Sequence, residues 1–237
     1  LFPSICDAIR NLSGMWKVMF KDKYARYFDV PQEYTDGVGG DFYVHELRAL
    51  RDDLAELGGR PVTDDDMRKA IAVYNDNSRA MRELYAYRSA KPWQAPTSEV
   101  YLVSRAGNVL PPEEHTKLVR EYIAAADAEK RPKRDNARVV ITGSFCEQPP
   151  LGLIKSIEMA GCYVVDDDFI LVNRWLLDDV ATDGDPFVAL SQAYLHRSGQ
   201  MASKYDATRE EKGKRLLESV KKNAAEGVIF AAASFCD

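Results

Sequence analysis

The residues of this 237-residue sequence best suited to chemistry are its four cysteines, Cys6, Cys146, Cys162 and Cys236. A thiolate can act as a nucleophile, or as a soft ligand that suits zinc and iron–sulfur clusters. No histidine lies near a cysteine in sequence, which weakens the nucleophile reading. No C-x2-C spacing occurs either, so a metal site would require the fold to bring distant loops together. Ordinary buried thiols are the competing reading. His45, His115 and His196 fall in expected helices or at their starts, where solvated faces are expected.

The elements that would position these residues can be read from pattern. Residues 1–5 read as the end of a strand and residues 7–20 as a helix with Asp7 as N-cap. Residues 29–40, rich in Pro, Gly and Asp, read as a loop. From 41 to 130 the pattern is mostly helical. Leu47, Leu50, Leu54 and Leu57 share one face before Gly58 and Gly59 stop the helix. Thr63 and Asp66 then form a capping-box pattern, and Met67, Ala70, Ile71, Tyr74, Ser78, Met81 and Tyr85 line one face. Pro92 and Pro96 end that helix, and another is predicted over 112–129 with Leu118, Tyr122 and Ile123 inward.

The charged, proline-broken stretch 128–136 reads as a linker, or alternatively as a dock for an acidic partner. It divides the chain into 1–136 and 137–237. After it, strands are expected at 138–142 (RVVIT), 162–165 (CYVV) and 228–235, alternating with helices to about 160, from about 186 and over 206–226. Leu216, Leu217, Val220 and Ala224 should face one side of the last helix, and Gly227 should end it. Strands alternating with helices imply parallel pairing.

Ligands of such sheets bind beyond the carboxyl ends of the strands. Cys6, Cys146 and Cys236 each follow an expected strand, whereas Cys162 begins one and reads as a small buried hydrophobe. Near these cysteines, the turn Thr142–Gly143–Ser144 could offer amides to an anion at the next helix start, or be a plain tight turn. Asp166, Asp167 and Asp168 read as a solvated loop with one carboxylate free to face the site, or as a cation site. Lys17, Lys21, Lys23 and Arg26 suit a phosphate-bearing ligand or a solvated helix face.

Composition narrows the classes. A formal charge of −5 argues against a general nucleic-acid binder, and no apolar run is long enough to span a bilayer. Four cysteines are too few for a disulfide scaffold, and no leader is visible, so a cytoplasmic setting is expected. The P-loop and the G-x-G-x-x-G fingerprint are both missing. The chain opens at Leu1 and stops at Asp237, each beside an apolar stretch, which reads as an internal piece of a longer protein.

Several segments together are similar to a known family. SICDAIRNLSGMW around Cys6, VIFAAASFCD around Cys236, VVITGSFCEQPP and VVDDDF resemble the 2-hydroxyacyl-CoA dehydratase and benzoyl-CoA reductase family over essentially the whole chain. ICDAIRNLSGMW and KPWQAPTSEVYLVSRAGNVLPPEEH look most like the cluster-carrying subunits of its ATP-dependent reductase branch, the smaller (gamma) type in particular. The resemblance implies an α/β fold of two Rossmann-like parallel-sheet halves joined by helices, with the N-terminal half truncated here. It implies a 4Fe–4S cluster held by three cysteines, of which Cys6 and Cys236 match the second and third, the first lying upstream of Leu1. Cys146 would be near the cluster, as a fourth ligand or an outer donor.

The implied activity is reduction of benzoyl-CoA, its thioester carbonyl accepting the first electron. Implied partners are a homologous cluster-binding subunit, ATP-hydrolysing electron-activating subunits, reduced ferredoxin as indirect donor and an aromatic acyl-CoA, with no nucleic acid and no membrane. A tyrosine, Glu147 or one of Asp166 to Asp168 could donate the proton. The alternatives are a 2-hydroxyacyl-CoA dehydratase subunit and a cluster-free scaffold subunit.

Overall fold

The computed structural model describes residues 1–4, 7–143, 149–169, 178–197 and 210–232. These fall into two compact units, one built from Leu1–Ile71 with Val180–Arg197, the other from Ala72–Asp179 with the C-terminal residues. The fold is α/β and the sheets are parallel, as expected.

In the first unit, β1 (Phe2–Pro3) pairs in parallel with β2 (Tyr27–Phe28), a strand the sequence reading lacks. Between them runs α1 (Asp7–Met19), close to the predicted span. The expected loop 29–40 ends in a π-turn, Asp36–Gly40, that leads into α2 (Asp41–Gly58). Glycine is required in that turn because a Cβ on Gly39 would lie 1.6 Å from the Glu33 carbonyl oxygen. Helix α2 ends at Gly59 in the left-handed region, φ +65°, where glycine has no steric penalty. Leu47 and Leu50 are half-buried, but Leu54 and Leu57 are exposed.

Arg26 is not part of a solvated basic face. It is half-buried, with Nη1 2.7 Å from Asp53 and Nη2 3.3 Å from Glu46, whereas Lys17, Lys21 and Lys23 are exposed.

Helix α3 (Asp64–Ala90) opens with the predicted capping box. The Asp66 amide donates to Thr63 Oγ1 at 3.2 Å, and the Thr63 amide donates to Asp66 Oδ2 at 3.0 Å. In the second unit its inward face continues through Asn75, Ala80, Met81, Leu84 and Arg88, while Tyr74 is exposed. The stripe follows four-residue steps after Ile71, so a polar residue takes the position assigned to an aromatic one. Helix α4 (Thr97–Ala106) lies in the stretch expected to be mostly helical but given no bounds of its own there; α5 (Pro112–Glu129) matches its expected span. Ala80, Met81, Leu84, Ala95, Val100 and Val119 form the helical core. The stretch 130–136 is tethered, the Arg131 amide donating to Gln94 Oε1 at 2.7 Å and the Arg134 amide to the Tyr163 hydroxyl at 2.8 Å.

The larger sheet has the order β4–β3–β5, from β3 (Ala137–Thr142), β4 (Cys162–Asp167) and β5 (Gly227–Phe230). Val139, Val140 and Ile141 of central β3 are all buried, as expected of a parallel strand covered on both faces. Helices α4 and α6 (Leu151–Met159) pack against it, with Tyr101, Ile154, Val164 and Phe169 in the shared core. Helix α7 (Pro186–Gln192), in the first unit, is capped by Asp185, which accepts from the Phe187 and Val188 amides.

Helix α8 (Glu210–Lys222) turns Leu216, Ser219 and Val220 inward with Leu217 exposed; in the turn that follows, Asn223 is buried and Ala224 exposed. It is terminated by Ala224 in the left-handed region, φ +47°, and not by Gly227, which opens β5. Among the described residues no helix is long and apolar enough to cross a membrane.

Candidate functional site

Because β3, β4 and β5 are parallel, their carboxyl ends share one edge of the sheet. The stretch carrying Cys146 follows β3, and the stretch carrying Cys236 follows β5; in the other unit, Cys6 follows β1. All three cysteines lie outside the described residues, as does Glu147. Cys162 is where the sequence placed it, at the start of β4, half-buried against the sheet core.

The described part of this edge is dominated by Asp166, Asp167 and Asp168, which do not form a solvated loop. A bulge in β4 pairs Val139 with Val164 and then Val140 with Asp166, so Val165 is the extra residue. Val164 and Val165 are both buried, and the acidic residues are re-aimed into three different bonding sites.

Asp166 joins helix α8, accepting from the Ser219 hydroxyl and, at 3.2 Å, from Asn223 Nδ2. Asn223 in turn accepts from the Ser89 hydroxyl of α3 at 2.5 Å. Asp167 is fully buried and joins α3. Its Oδ2 accepts from Arg88 Nη1 at 2.6 Å; its Oδ1 accepts from the Tyr85 hydroxyl and the Phe169 amide, each at 3.0 Å. Arg88 is itself buried, its guanidinium 4.2 Å from the centre of the Tyr85 ring. Asp168 joins the exit of β3, its Oδ2 accepting from Thr142 Oγ1 at 2.7 Å and from the Gly143 amide at 3.0 Å.

The Gly143 amide is already committed to a carboxylate, and among the described residues the next helix, α6, starts only at Leu151, while Ser144 lies outside them. Asp167 is sealed in an ion pair and has no exposed edge for donating a proton to a ligand.

Burial pushes the Asp167 carboxyl above its ordinary range, with the Arg88 charge opposing. Burial, the largest single influence on Arg88, would lower it, but Asp167, Tyr85 and Asp166 together outweigh burial and the guanidinium is raised. Six other carboxyls shift downward: Asp53, Asp66, Asp76, Asp127, Asp179 and Asp185. A depressed folded pKa contributes stability above the unfolded value and loses it as pH falls through the folded one; a raised carboxyl such as Asp167 does the reverse. Among the described residues these six share one direction, and acid removes what each contributes. The melting temperature should fall steadily from about pH 5 to pH 3, measured by calorimetry. A flat or rising curve would contradict this assignment of carboxylates.

His115 is a further correction. It is buried, its Nε2 2.9 Å from the Val103 carbonyl oxygen and its Nδ1 2.9 Å from Asn77 Nδ2. An Nε2–H donating to Val103 and an Nδ1 accepting from Asn77 satisfy both nitrogens. The ring clasps α4 to α5, a role suggested in sequence only by its position one helical turn after the prolines that open α5. His45 and His196 are exposed, His196 with Nε2 2.7 Å from Asp36.

Arg88 is the residue the sequence reading missed. Its only sequence signal is its position, seven residues after Met81 on the inward stripe of α3.

Among the described residues, no group of three or more His, Cys, Asp or Glu could hold a metal ion.

The profile of the family described as 2-hydroxyglutaryl-CoA dehydratase, D-component, matches residues 1–237. One subunit of the benzoyl-CoA reductase of Thauera aromatica is 60% identical over all of this chain and 61% of its own length. The beta subunit of lactoyl-CoA dehydratase of Anaerotignum propionicum is 26% identical over all of this chain and 62% of its own. The beta subunit of (R)-2-hydroxyglutaryl-CoA dehydratase of Acidaminococcus fermentans is also 26% identical, over 99% of this chain and 62% of its own length. The chain thus spans about three-fifths of the length of these relatives.

Proposed function

The chain belongs to the 2-hydroxyglutaryl-CoA dehydratase D-component family, and on that premise we propose that it is part of the iron–sulfur subunit of a benzoyl-CoA reductase. The observation that carries this reading is the 60% identity to a benzoyl-CoA reductase subunit, against 26% to two dehydratase subunits. In this reading Cys6 and Cys236 would ligate a 4Fe–4S cluster, with a third cysteine supplied by sequence upstream of Leu1 and Cys146 close by. The cluster, when bound, supplies low-potential single electrons.

The fold is suited to this use. Within the larger sheet, the stretches carrying Cys146 and Cys236 follow β3 and β5, parallel strands that end at one edge, where ligands of such sheets bind. The described edge is packed with mutually bonded polar groups, which suits a site that must be dry and rigid. The electrons would come from reduced ferredoxin through partner subunits that hydrolyse ATP, and a homologous subunit would complete the catalytic unit. A cytoplasmic location fits such partners.

The test uses the complete subunit, purified anaerobically with its homologous partner and supplied with activating subunits, ATP and a low-potential donor. Benzoyl-CoA should be reduced with continuous consumption of ATP and donor. The dehydratase reading expects the opposite: 2-hydroxyacyl-CoA would lose water with only catalytic amounts of ATP and donor. A preparation without iron and acid-labile sulfide would leave the scaffold reading standing and overturn this one.

A further inference from the structure

We propose that the amino edge of the larger sheet is a docking surface for an acidic face of another protein subunit, with Lys130, Lys133, Arg134, Lys221 and Lys222 as its contact charges. This inference rests on the reading just given, in which the chain works within a multi-subunit enzyme, and adds an interface to it. All of these residues belong to the second unit.

Hydrogen bonds gather several segments at this edge. The Ala137 amide, opening β3, donates to the Gly161 carbonyl just before β4 at 3.0 Å, and the Glu226 amide, just before β5, donates to the Arg138 carbonyl at 2.7 Å. The Arg138 guanidinium donates to the Asn223 carbonyl after α8 and, at 2.9 Å, to the Ser89 carbonyl near the end of α3. The stretch 130–136, which leads into β3, and the last turn of α8 therefore share one end of the sheet.

That end carries unmatched positive charge. Lys130, Lys133, Arg134, Lys221 and Lys222 are all exposed, and none has a carboxylate within ion-pair distance among the described residues. The neighbouring charges are engaged: Arg131 pairs with Glu99 and Glu129, Lys91 pairs with Asp127, and Glu226 accepts the Arg138 amide. Asp135 and, one turn back on α8, Glu218 are the remaining carboxylates of these segments. In a chain of formal charge −5 this is a local reversal of sign, and the carboxyl end of the same sheet carries Asp166, Asp167 and Asp168.

A solvated linker would leave such charges loose, whereas here they are held. The Arg131 amide and guanidinium both bond to Gln94, and the Arg134 amide bonds to the Tyr163 hydroxyl. Lys130 closes α5 in the left-handed region, φ 54° and ψ 47°, and Pro132 restricts the chain two residues on. Lys133 Nζ lies 5.0 Å from the centre of the Trp93 ring. A partner meets charges that are already ordered, which lowers the entropy cost of association. Clustered like charges repel one another until opposite charge arrives, and such complementarity sets the rate and the choice of encounter. A nucleic acid fits this edge less well, because phosphate recognition calls for a basic excess that the chain lacks.

The experiment uses the complete subunit assembled anaerobically with its homologous and activating partners. A carbodiimide, which joins a lysine amine to a carboxylate only where the two touch, is applied to the assembly, and the linked peptides are mapped by mass spectrometry. Sedimentation then measures subunit association at about 50 mM and about 0.5 M salt, where screening differs severalfold. The parent is compared with a Lys133→Glu, Arg134→Glu double variant and with a Lys117→Glu, Lys155→Glu double variant, which changes net charge equally at exposed positions on α5 and α6.

Lys130, Lys133, Lys221 or Lys222 should be linked to aspartates or glutamates of another subunit. At low salt the Lys133→Glu, Arg134→Glu assembly should associate about tenfold more weakly than the parent, and high salt should close the gap. The α5 and α6 variant should behave as the parent does. Links confined to carboxylates of the same subunit overturn the proposal, as does an edge reversal that associates like the parent or no more weakly than the control. Retention of a single-stranded RNA by the parent, lost on reversal while subunit association stays unchanged, assigns the edge to phosphate and overturns it equally. A subunit that purifies alone and without iron defeats the multi-subunit reading together with this inference; an intact, iron-containing assembly indifferent to the reversal defeats this inference alone.

Discussion

Arg88→Met should be among the most destabilising single substitutions in this chain, lowering the unfolding free energy by about 3–5 kcal/mol. The Arg88 and Asp167 side chains are 1% and 0% exposed, so nothing from solvent can replace the lost partner. Methionine keeps the packing volume of the stem but strands a buried carboxylate, to which the Tyr85 hydroxyl and the Phe169 amide still donate without supplying a charge. For a domain of this size the loss corresponds to a fall in melting temperature of roughly 6–20 °C. Adding Asp167→Asn to Arg88→Met removes the stranded charge and should recover part of the loss, because the penalty belongs to the uncompensated ion and not to the pair as such. Thermal and chemical denaturation of the parent, both single variants and the double variant measure the coupling. If Arg88→Met alone lies within about 1 kcal/mol of the parent, the two groups do not form the sealed ion pair described here.

The same pair shows where sequence patterning reaches and where it stops. The helices α1, α2, α3 and α5 and the strands β3 and β4 could be located from caps, glycines, prolines and apolar runs, because those signals act over a few residues. The short strand β2 could not: two residues carry no alternation, and their pairing is decided by Phe2 and Pro3, some 25 residues earlier. The bounds of α4 were hidden because its start follows Pro96 directly and Thr97 is buried, its hydroxyl bonded to the Val164 carbonyl at 3.1 Å.

Charged residues were misread most. A run of three aspartates looks solvated until a one-residue bulge distributes it among α8, α3 and the β3 turn. His115 likewise reads as a surface group, and Arg88 draws no assignment at all, because their partners are 12 and 79 residues away. Long-range polar pairing leaves no periodic trace. The cysteines are the opposite case: their placement after strands could be read from the sequence, and their assignment to a cluster rests on resemblance and so stands as a proposal.

That assignment leads to the other large effect. In the complete subunit, Cys6→Ser or Cys236→Ser should remove most of the iron and acid-labile sulfide and, with them, reduction of the aromatic substrate. A serine hydroxyl is a harder and far more weakly acidic ligand than a thiol, so each substitution removes one of the soft donors that the reading assigns to the cluster. Cys162→Ser provides the internal contrast. That thiol is half-buried at the amino end of β4, beside the sheet core, so its replacement should cost less than the roughly 1–3 kcal/mol of a fully buried hydroxyl and leave iron content unchanged. The comparison separates loss of a ligand from loss of a fold, since melting temperature and iron content should move independently across the three variants. If Cys162→Ser strips the iron while Cys6→Ser and Cys236→Ser retain it, the ligands lie elsewhere and the carboxyl edges of these sheets lose their claim to the site.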